Sequence, residues 1–308
     1  GDPRRDIRRR TAWDRAVTRL LVIGRTGQLA RALAEQAPQA TFLGRDVLDL
    51  TYLSAIAAAI AAARPEVVIN AAAYTAVDRA EEEPALAHRI NAEAVGEIAR
   101  AAAGQGAALL HLSTDYVYPG TGTAPHRETD PTGPINTYGA SKLAGEEAAL
   151  AANPRTTVLR TSWVYAPWGR NFVLTMLRLA DRQRLTVVAD QMGHPTSALD
   201  IAAACLALAP RLAAGGPEAD LWGPTHFAGA GETSWAEFAR AVFAGARARG
   251  LIDSAPEVAD IPTADYPTTA ARPLNSRLDL GRATRLIGHA PAPWREALGR
   301  VLDRLAQG

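Results

Sequence analysis

The sequence predicts an α/β protein: a doubly wound parallel sheet with a smaller C-terminal α/β lobe. Three observations carry this. Up to residue 112, short apolar runs alternate with longer alanine-rich runs, the pattern of strands joined by crossover helices. The first apolar run, Leu20-Leu21-Val22-Ile23, leads straight into a glycine turn, Gly24-Arg25-Thr26-Gly27-Gln28-Leu29-Ala30. Beyond Arg160 the alternation loosens into polar and aromatic segments with helices near 171–181, 197–209, 235–249 and 294–306. The division expected is a basic arm over 1–17 and a nucleotide-binding domain over 18–165 with a returning segment near 197–228. A substrate lobe is expected from 166–196 and 229–308.

Each element has its reason. Leu20–Ile23 is short and wholly apolar, as strands buried on both faces are. Glycines at the turn after it let the backbone approach a pyrophosphate, and the following helix offers free N–H groups there. Gly24 and Gly27 are therefore candidate cofactor contacts, and Ala30 is small enough for close helix packing. A second strand over 40–43 ends at Gly44-Arg45, about 20 residues after the first glycine, where an arginine suits the 2′-phosphate of NADP and an acid suits the ribose of NAD. Arg45 leans to NADPH; Asp46 beside it keeps NADH as the alternative. Asp49-Leu50-Thr51 is expected to close a short strand and begin a helix, where an adenine could sit. A buried strand over 66–70 runs into the small residues Ala71-Ala72-Ala73, which suit a ligand lying across that edge. A long helix over 85–104 and a strand over 107–112 follow, with Asn91 either a buried structural amide or part of a proton relay. The Pro- and Gly-rich stretch 116–136 reads as an active-site loop, 137–152 as a helix and 156–160 as a strand.

The chemistry gathers around residues 112–142. Tyr138 and Lys142 are four apart, which on a helix puts their Cβ atoms about 5–6 Å apart on one face. A phenol ordinarily titrates near about 10, and a neighbouring ammonium lowers it; about 3 units would need roughly 4 kcal/mol of differential interaction. A hydroxyl from Thr114, at the end of the preceding strand, could hold a carbonyl oxygen against that phenol. The set is a proton-delivery site for carbonyl reduction. A chance pairing of Tyr and Lys on a helix is the alternative, and the surrounding pattern weighs against it.

Composition excludes other classes. The 308 residues are 48% hydrophobic and 21% charged, as in ordinary globular proteins, with a net charge of +1 that offers nothing to nucleic acid. Cys205 is the only cysteine, which suits a reducing, cytoplasmic compartment. The six histidines have no metal-ligand spacing, so no metal is expected, and no apolar run is long enough for a membrane. The arginine-rich stretch 1–17 lacks the apolar core of a secretory signal.

The glycine turn, the strand-end hydroxyl and Tyr138-x-x-x-Lys142 resemble the extended short-chain dehydrogenase/reductases, which have Rossmann-like folds. Further segments are similar to the dTDP-4-dehydrorhamnose reductase family within them: Asn70–Asp78, Ser113–Tyr118, Arg160–Tyr165, Asp190–Thr196 and Arg272–Ser276. The likeness runs in order from about residue 19 to about 300. It implies an NADPH-dependent reduction of a nucleotide sugar at C4, with Tyr138 giving the proton and Lys142 holding the nicotinamide ribose. It places Gly27, Gln28 and Leu29 on the pyrophosphate, Asp49 and Leu50 on the adenine, and Ala73, Tyr74 and Thr75 at the nicotinamide end. Thr75, Val77, Thr114, Asp115, Tyr116 and Trp163 then line the sugar pocket, with core packing the alternative for Trp163. Arg272 suits a diphosphate by charge. For the Gln191–Thr196 loop, a structural turn and a substrate loop both stay open. Arg31-Ala32 stands where some members carry an acid at a magnesium-linked dimer contact, so a dimer of that type is not expected, and monomer and homodimer remain. The same resemblance admits a reductase giving another product, such as a dihydrostreptose synthase, or a non-catalytic regulatory subunit.

Overall fold

A computed structural model describes residues 18–215 and 219–307; the basic stretch 1–17 lies outside them. The chain begins β1 (Leu20–Ile23), α1 (Gln28–Gln36), β2 (Thr41–Leu43), α2 (Ile56–Ala63), β3 (Val67–Asn70), α3 (Val77–Glu82), α4 (Pro84–His88), α5 (Ala94–Gly104) and β4 (Ala108–Thr114). It continues α6 (Thr137–Ala152), β5 (Thr156–Thr161), β6 (Val164–Tyr165), α7 (Phe172–Arg178), β7 (Arg184–Val188), β8 (Met192–Gly193) and β9 (Thr196–Ser197). The remainder is α8 (Ala198–Ala214), β10 (Gly223–His226), β11 (Thr233–Ser234), α9 (Trp235–Arg247), β12 (Glu257–Ile261), α10 (Gly281–Ile287) and α11 (Trp294–Gln307).

Six strands form one parallel sheet in the order β10-β5-β4-β3-β1-β2. Both faces are covered, so β1 and β3 are apolar almost throughout and the polar residues of β4, β5 and β10 are largely buried; alternate residues serve opposite layers. Val22, Ile69 and Leu110 pack with Ile201, Cys205 and Leu208 of α8 on one face. Leu21, Ile23, Val68 and Leu109 pack with Ile56, Ile60 and Ile98 on the other. A second core, with Tyr165, Val173, Phe238, Val242, Trp294 and Leu298, joins α7, α9 and α11 under the short pairs β7–β12 and β8–β11. Chain order reverses between β1 and β3, and in such sheets ligands bind at the carboxyl ends of the strands at this switch point.

One expectation fails locally, and one holds with a local change. Asp49-Leu50-Thr51 is no strand: the Asp49 carboxylate accepts from the Thr51 N–H (2.9 Å) and hydroxyl (2.8 Å), which bends the chain into a turn. The long helix expected over 85–104 forms, running from Pro84 to Gly104 with a π turn at Arg89–Glu93 inside it. Asn91 there gives its amide hydrogens to the Tyr74 carbonyl and Ser141 hydroxyl and accepts from the Tyr74 N–H, so it is a structural crosslink. Helix α6 lies directly on this turn because Gly145 has no side chain; a Cβ would stand 1.9 Å from the Asn91 carbonyl oxygen. Gly145→Ala would gain about 1 kcal/mol of helix propensity, but pressing on backbone costs about 1–3 kcal/mol or more. The collision wins, and a thermal melt is expected to show a lowered Tm.

Candidate active site

A cleft of about 850 Å³ runs along the carboxyl ends of β1, β3, β4 and β5 and is lined on one side by Trp163, Arg170 and Trp235. This is within the range of ligand pockets. The turn after β1 forms one wall. Gly24 has φ +113°, a conformation glycine adopts freely, and its missing side chain leaves the chain close to Ala71 and Ala72. Nothing stands within 4 Å of where a Gly27 Cβ would point. Gln28 is latched from across the chain: its carbonyl accepts from Trp168 Nε1 (3.1 Å) and its side-chain oxygen from Asn171 Nδ2 (2.9 Å). These bonds draw the 166–171 loop, with Arg170, onto the cleft.

At the far lip, Arg45 donates to Asp49 Oδ2 at 3.2 Å. Its guanidinium is exposed, and both residues line the cleft with Leu50, Ala73, Thr75 and Val77. Tyr74 does not line it. The Tyr74 hydroxyl turns away to Glu83 Oε2 at 2.7 Å, and that bond to a carboxylate raises the phenol above its ordinary pKa. Arg272 is also off the cleft wall, where it pairs with Asp78 at 2.7 Å and donates to the Ala270 carbonyl at 3.0 Å. In this arrangement the charge expected on a diphosphate is held by a carboxylate.

Thr114, Asp115, Tyr116, Tyr138, Lys142 and Trp163 come together on the cleft. Asn136 caps α6 by accepting from the Gly139 N–H at 2.7 Å, which fixes where Tyr138 emerges. Gly139 admits the backbone of Tyr116, whose oxygen a Cβ would meet at 2.2 Å. The Tyr116 and Tyr138 rings then meet edge to face, 5.7 Å apart. Thr114 hydrogen-bonds the Tyr138 hydroxyl and donates to Asp115 Oδ1 at 3.1 Å.

Burial sets the electrostatics here. Desolvation raises the Tyr138 phenol, and the Thr114 hydrogen bond pulls it back only in part. This reverses the lowering expected from Lys142. The ammonium is engaged elsewhere: Nζ donates to the Leu112 carbonyl at 2.6 Å and faces His111 Nε2 at 3.4 Å. Burial brings Lys142 itself down to about 8, against the pull of Glu146. It pushes Asp115 up to about 7, against hydrogen bonds from Ser276 and Thr114.

Trp163 has φ +48°, a strained setting for a bulky side chain. It stacks on Trp235 at 3.6 Å, over Gly193, where a Cβ would press on the indole at 2.6 Å. Gln191 accepts from Trp235 Nε1 at 3.1 Å, so the 191–196 loop supports the tryptophan pair from behind and stays off the cleft wall. Arg170 and Trp235 line the cleft without any signal in local spacing, since each arrives through long-range contacts.

The residues fit a dinucleotide and a polar co-substrate. The glycine turn leaves open space, and the buried Ser113 Oγ, Asp115 Oδ2 and Thr161 Oγ1 on the cleft have no hydrogen-bond partner. A doubly wound sheet with this turn at its switch point, and a hydroxyl, phenol and lysine at the same edge, defines an oxidoreductase of the extended short-chain dehydrogenase/reductase class. Known proteins narrow the class. The family model described as RmlD substrate binding domain matches residues 18–307. The dTDP-4-dehydrorhamnose reductase of Sinorhizobium fredii is 47% identical, over 92% of this chain and 96% of its own length. That of Salmonella typhimurium is 43% identical, over 93% and 97%. A crystal structure of dTDP-4-dehydrorhamnose reductase from Bacillus anthracis in complex with NADP superposes with a TM-score of 0.84 at 35% identity, over 93% of this chain and 99% of that one. The chain belongs to the RmlD substrate binding domain family. Among its described residues, no helix is long and apolar enough to cross a membrane.

Proposed function

We propose that the protein reduces the C4 keto group of dTDP-4-dehydro-L-rhamnose to dTDP-L-rhamnose with NADPH. The observation that carries this is the meeting of Thr114, Tyr138 and Lys142 in one cleft with the glycine turn, in a chain matched by the family almost end to end. Gly24, Gly27, Gln28 and Leu29 would hold the cofactor pyrophosphate, Arg45 its 2′-phosphate, and Asp49 and Leu50 its adenine. Ala73 and Thr75 flank the nicotinamide end, and the Lys142 ammonium holds the ribose. The bound nicotinamide supplies hydride to C4. Thr114 and Tyr138 grip the sugar oxygen, which becomes a strong base as hydride arrives, so a phenol kept protonated by burial is a ready acid. Val77, Asp115, Tyr116 and the stacked Trp163 shape the sugar side, between the sheet edge and the second lobe. The free thiol of Cys205 suits a cytoplasmic setting.

The test is turnover of dTDP-4-dehydro-L-rhamnose, followed by loss of nicotinamide absorbance with NADPH and NADH in parallel, and identification of the sugar by NMR. A folded protein that binds NADPH yet turns over neither cofactor would end this assignment. Arg45→Ala is expected to raise the KM for NADPH roughly tenfold or more, the effect of losing one hydrogen bond to a charged group at about 1.5 kcal/mol. The KM for NADH should hold. Equal loss with both cofactors would take Arg45 off the 2′-phosphate.

A further inference from the structure

Lys142 is the only lysine in the 308 residues; every other cationic side chain of this type is an arginine. An arginine cannot shed its proton in a protein, whereas a buried lysine can. The surroundings of Nζ are therefore of special interest. Behind it lies a buried chain, Asn70–His111–Lys142, from the carboxyl end of β3, the middle of β4 and the first turns of α6. All three residues are at most 2% exposed.

The hydrogen positions in this chain follow from one fixed donor. The Ala72 backbone N–H donates to Asn70 Oδ1 at 3.2 Å, so the other end of the amide, Nδ2, faces His111 Nδ1 at 3.1 Å. An NH₂ group is a donor only, which makes Nδ1 the acceptor. Burial, and then the charge of Lys142, hold His111 well below its ordinary pKa, so the ring is neutral and its single hydrogen is on Nε2. That N–H points at Lys142 Nζ, 3.4 Å away. An ammonium has no lone pair to receive it; an amine has one.

We propose that His111 is a positioning residue for Lys142: Asn70 fixes the Nε2–H tautomer, and that hydrogen, aimed at Nζ, favours the uncharged amine over the ammonium. Lys142 is thereby kept able to lose its proton, which a purely structural cation would not need. The other groups around it are accounted for. Glu146 on the same helix pulls towards the ammonium and is itself paired with Arg160 of β5. Tyr138 shares the helix face, and Asp115 and Tyr116 face Tyr138 from the turn after β4. From α3, Glu81 is bonded to Thr137, and the π turn presents only the neutral Asn91 to α6. Among the described residues, His111 is the one neutral side chain that puts a donor against Nζ.

The inference bears on the proposed reductase, yet its test does not need turnover. Because there is one lysine, protein labelled with ¹³C-lysine gives a single side-chain signal whose titration reports Lys142 directly. Histidine ¹⁵N spectra give the tautomer of His111. The wild-type ring is expected as Nε2–H. Asn70→Asp keeps an acceptor for the Ala72 N–H and offers a second to Nδ1–H, so it should reverse the tautomer. His111→Phe removes the donor while keeping a ring and adding no charge. Both variants are expected to raise the Lys142 midpoint by about one pH unit, a tenfold change in the amine-to-ammonium ratio. The basic limb of kcat should move with it while the sugar KM stays level. An Nδ1–H ring in the wild type, or a Lys142 midpoint that stays put in a folded His111→Phe protein, would overturn the proposal. Should that variant fail to fold, an unmoved midpoint in Asn70→Asp does the same.

Discussion

Tyr138→Phe is expected to lower kcat by about 10²–10⁴-fold, the usual contribution of a positioned proton donor, with little change in cofactor affinity or Tm. The asymmetry follows from what the hydroxyl touches. It bonds Thr114, whose own hydroxyl also donates to Asp115 and accepts from the Tyr116 N–H at 3.2 Å, so Thr114 is not orphaned by the change. The ring keeps its edge-to-face contact with Tyr116. Steady-state kinetics and a cofactor titration on the same preparation separate the two quantities. If turnover stays within tenfold of wild type, the proton comes from elsewhere. Asp115 is the next candidate: burial pushes it up to about 7, so it carries a proton for much of the neutral range.

The reversal of the Tyr138 shift shows which parts of a site a sequence reveals. Tyr138 and Lys142 are four residues apart on one helix, and Asn136 caps that helix, so their shared face was legible from local spacing alone. The strands were legible for the same reason: Leu20–Ile23 and the run ending at Asn70 need only be apolar and short. Dielectric and direction are tertiary properties. Nothing in the spacing says that Nζ will turn to the Leu112 carbonyl and the His111 ring, or that the phenol will be desolvated. Arg170 and Trp235 likewise depend on Gln28 and Trp163, far away in the chain. The π turn inside the helix at Arg89–Glu93 was hidden because the Asn91 crosslink that accompanies it, to Tyr74 and Ser141, spans 17 and 50 residues. In α8 the helix passes Pro210 and ends at Gly215 in the left-handed region (φ 63°), several residues beyond the expected stop.

Arg160→Leu is expected to cost about 3–5 kcal/mol of stability, because it strands a carboxylate in the interior. Arg160 and Glu146 are 3% and 1% exposed and paired at 2.5 Å, with Arg160 Nε also donating to both Glu146 oxygens. The remaining donor, Nη1, gives to the Tyr118 hydroxyl at 2.6 Å. That hydroxyl has one hydrogen, for which His226 Nε2 at 2.7 Å and the Arg127 carbonyl at 2.9 Å compete. Burial, with the charge of Arg160 next, holds His226 down to about 3, far under the ordinary value of about 6.5. The unfolded chain therefore takes up a proton at His226 before the folded one does, and this part of the stability is full above about 6.5 and lost as pH falls towards 3. Urea unfolding of Arg160→Leu, of Glu146→Leu and of the double variant tests the account. Each single change should be strongly destabilising, and the double should recover most of the loss, since an apolar pair of similar volume can replace a buried ion pair. If the single losses simply add, the two side chains act independently, and the pair is not what fixes α6 against β5. In the paired case the effect reaches the cleft, because Glu146 lies one turn beyond Lys142 and its charge helps keep that residue an ammonium. The double variant should then be stable yet show a Lys142 midpoint below that of the wild type.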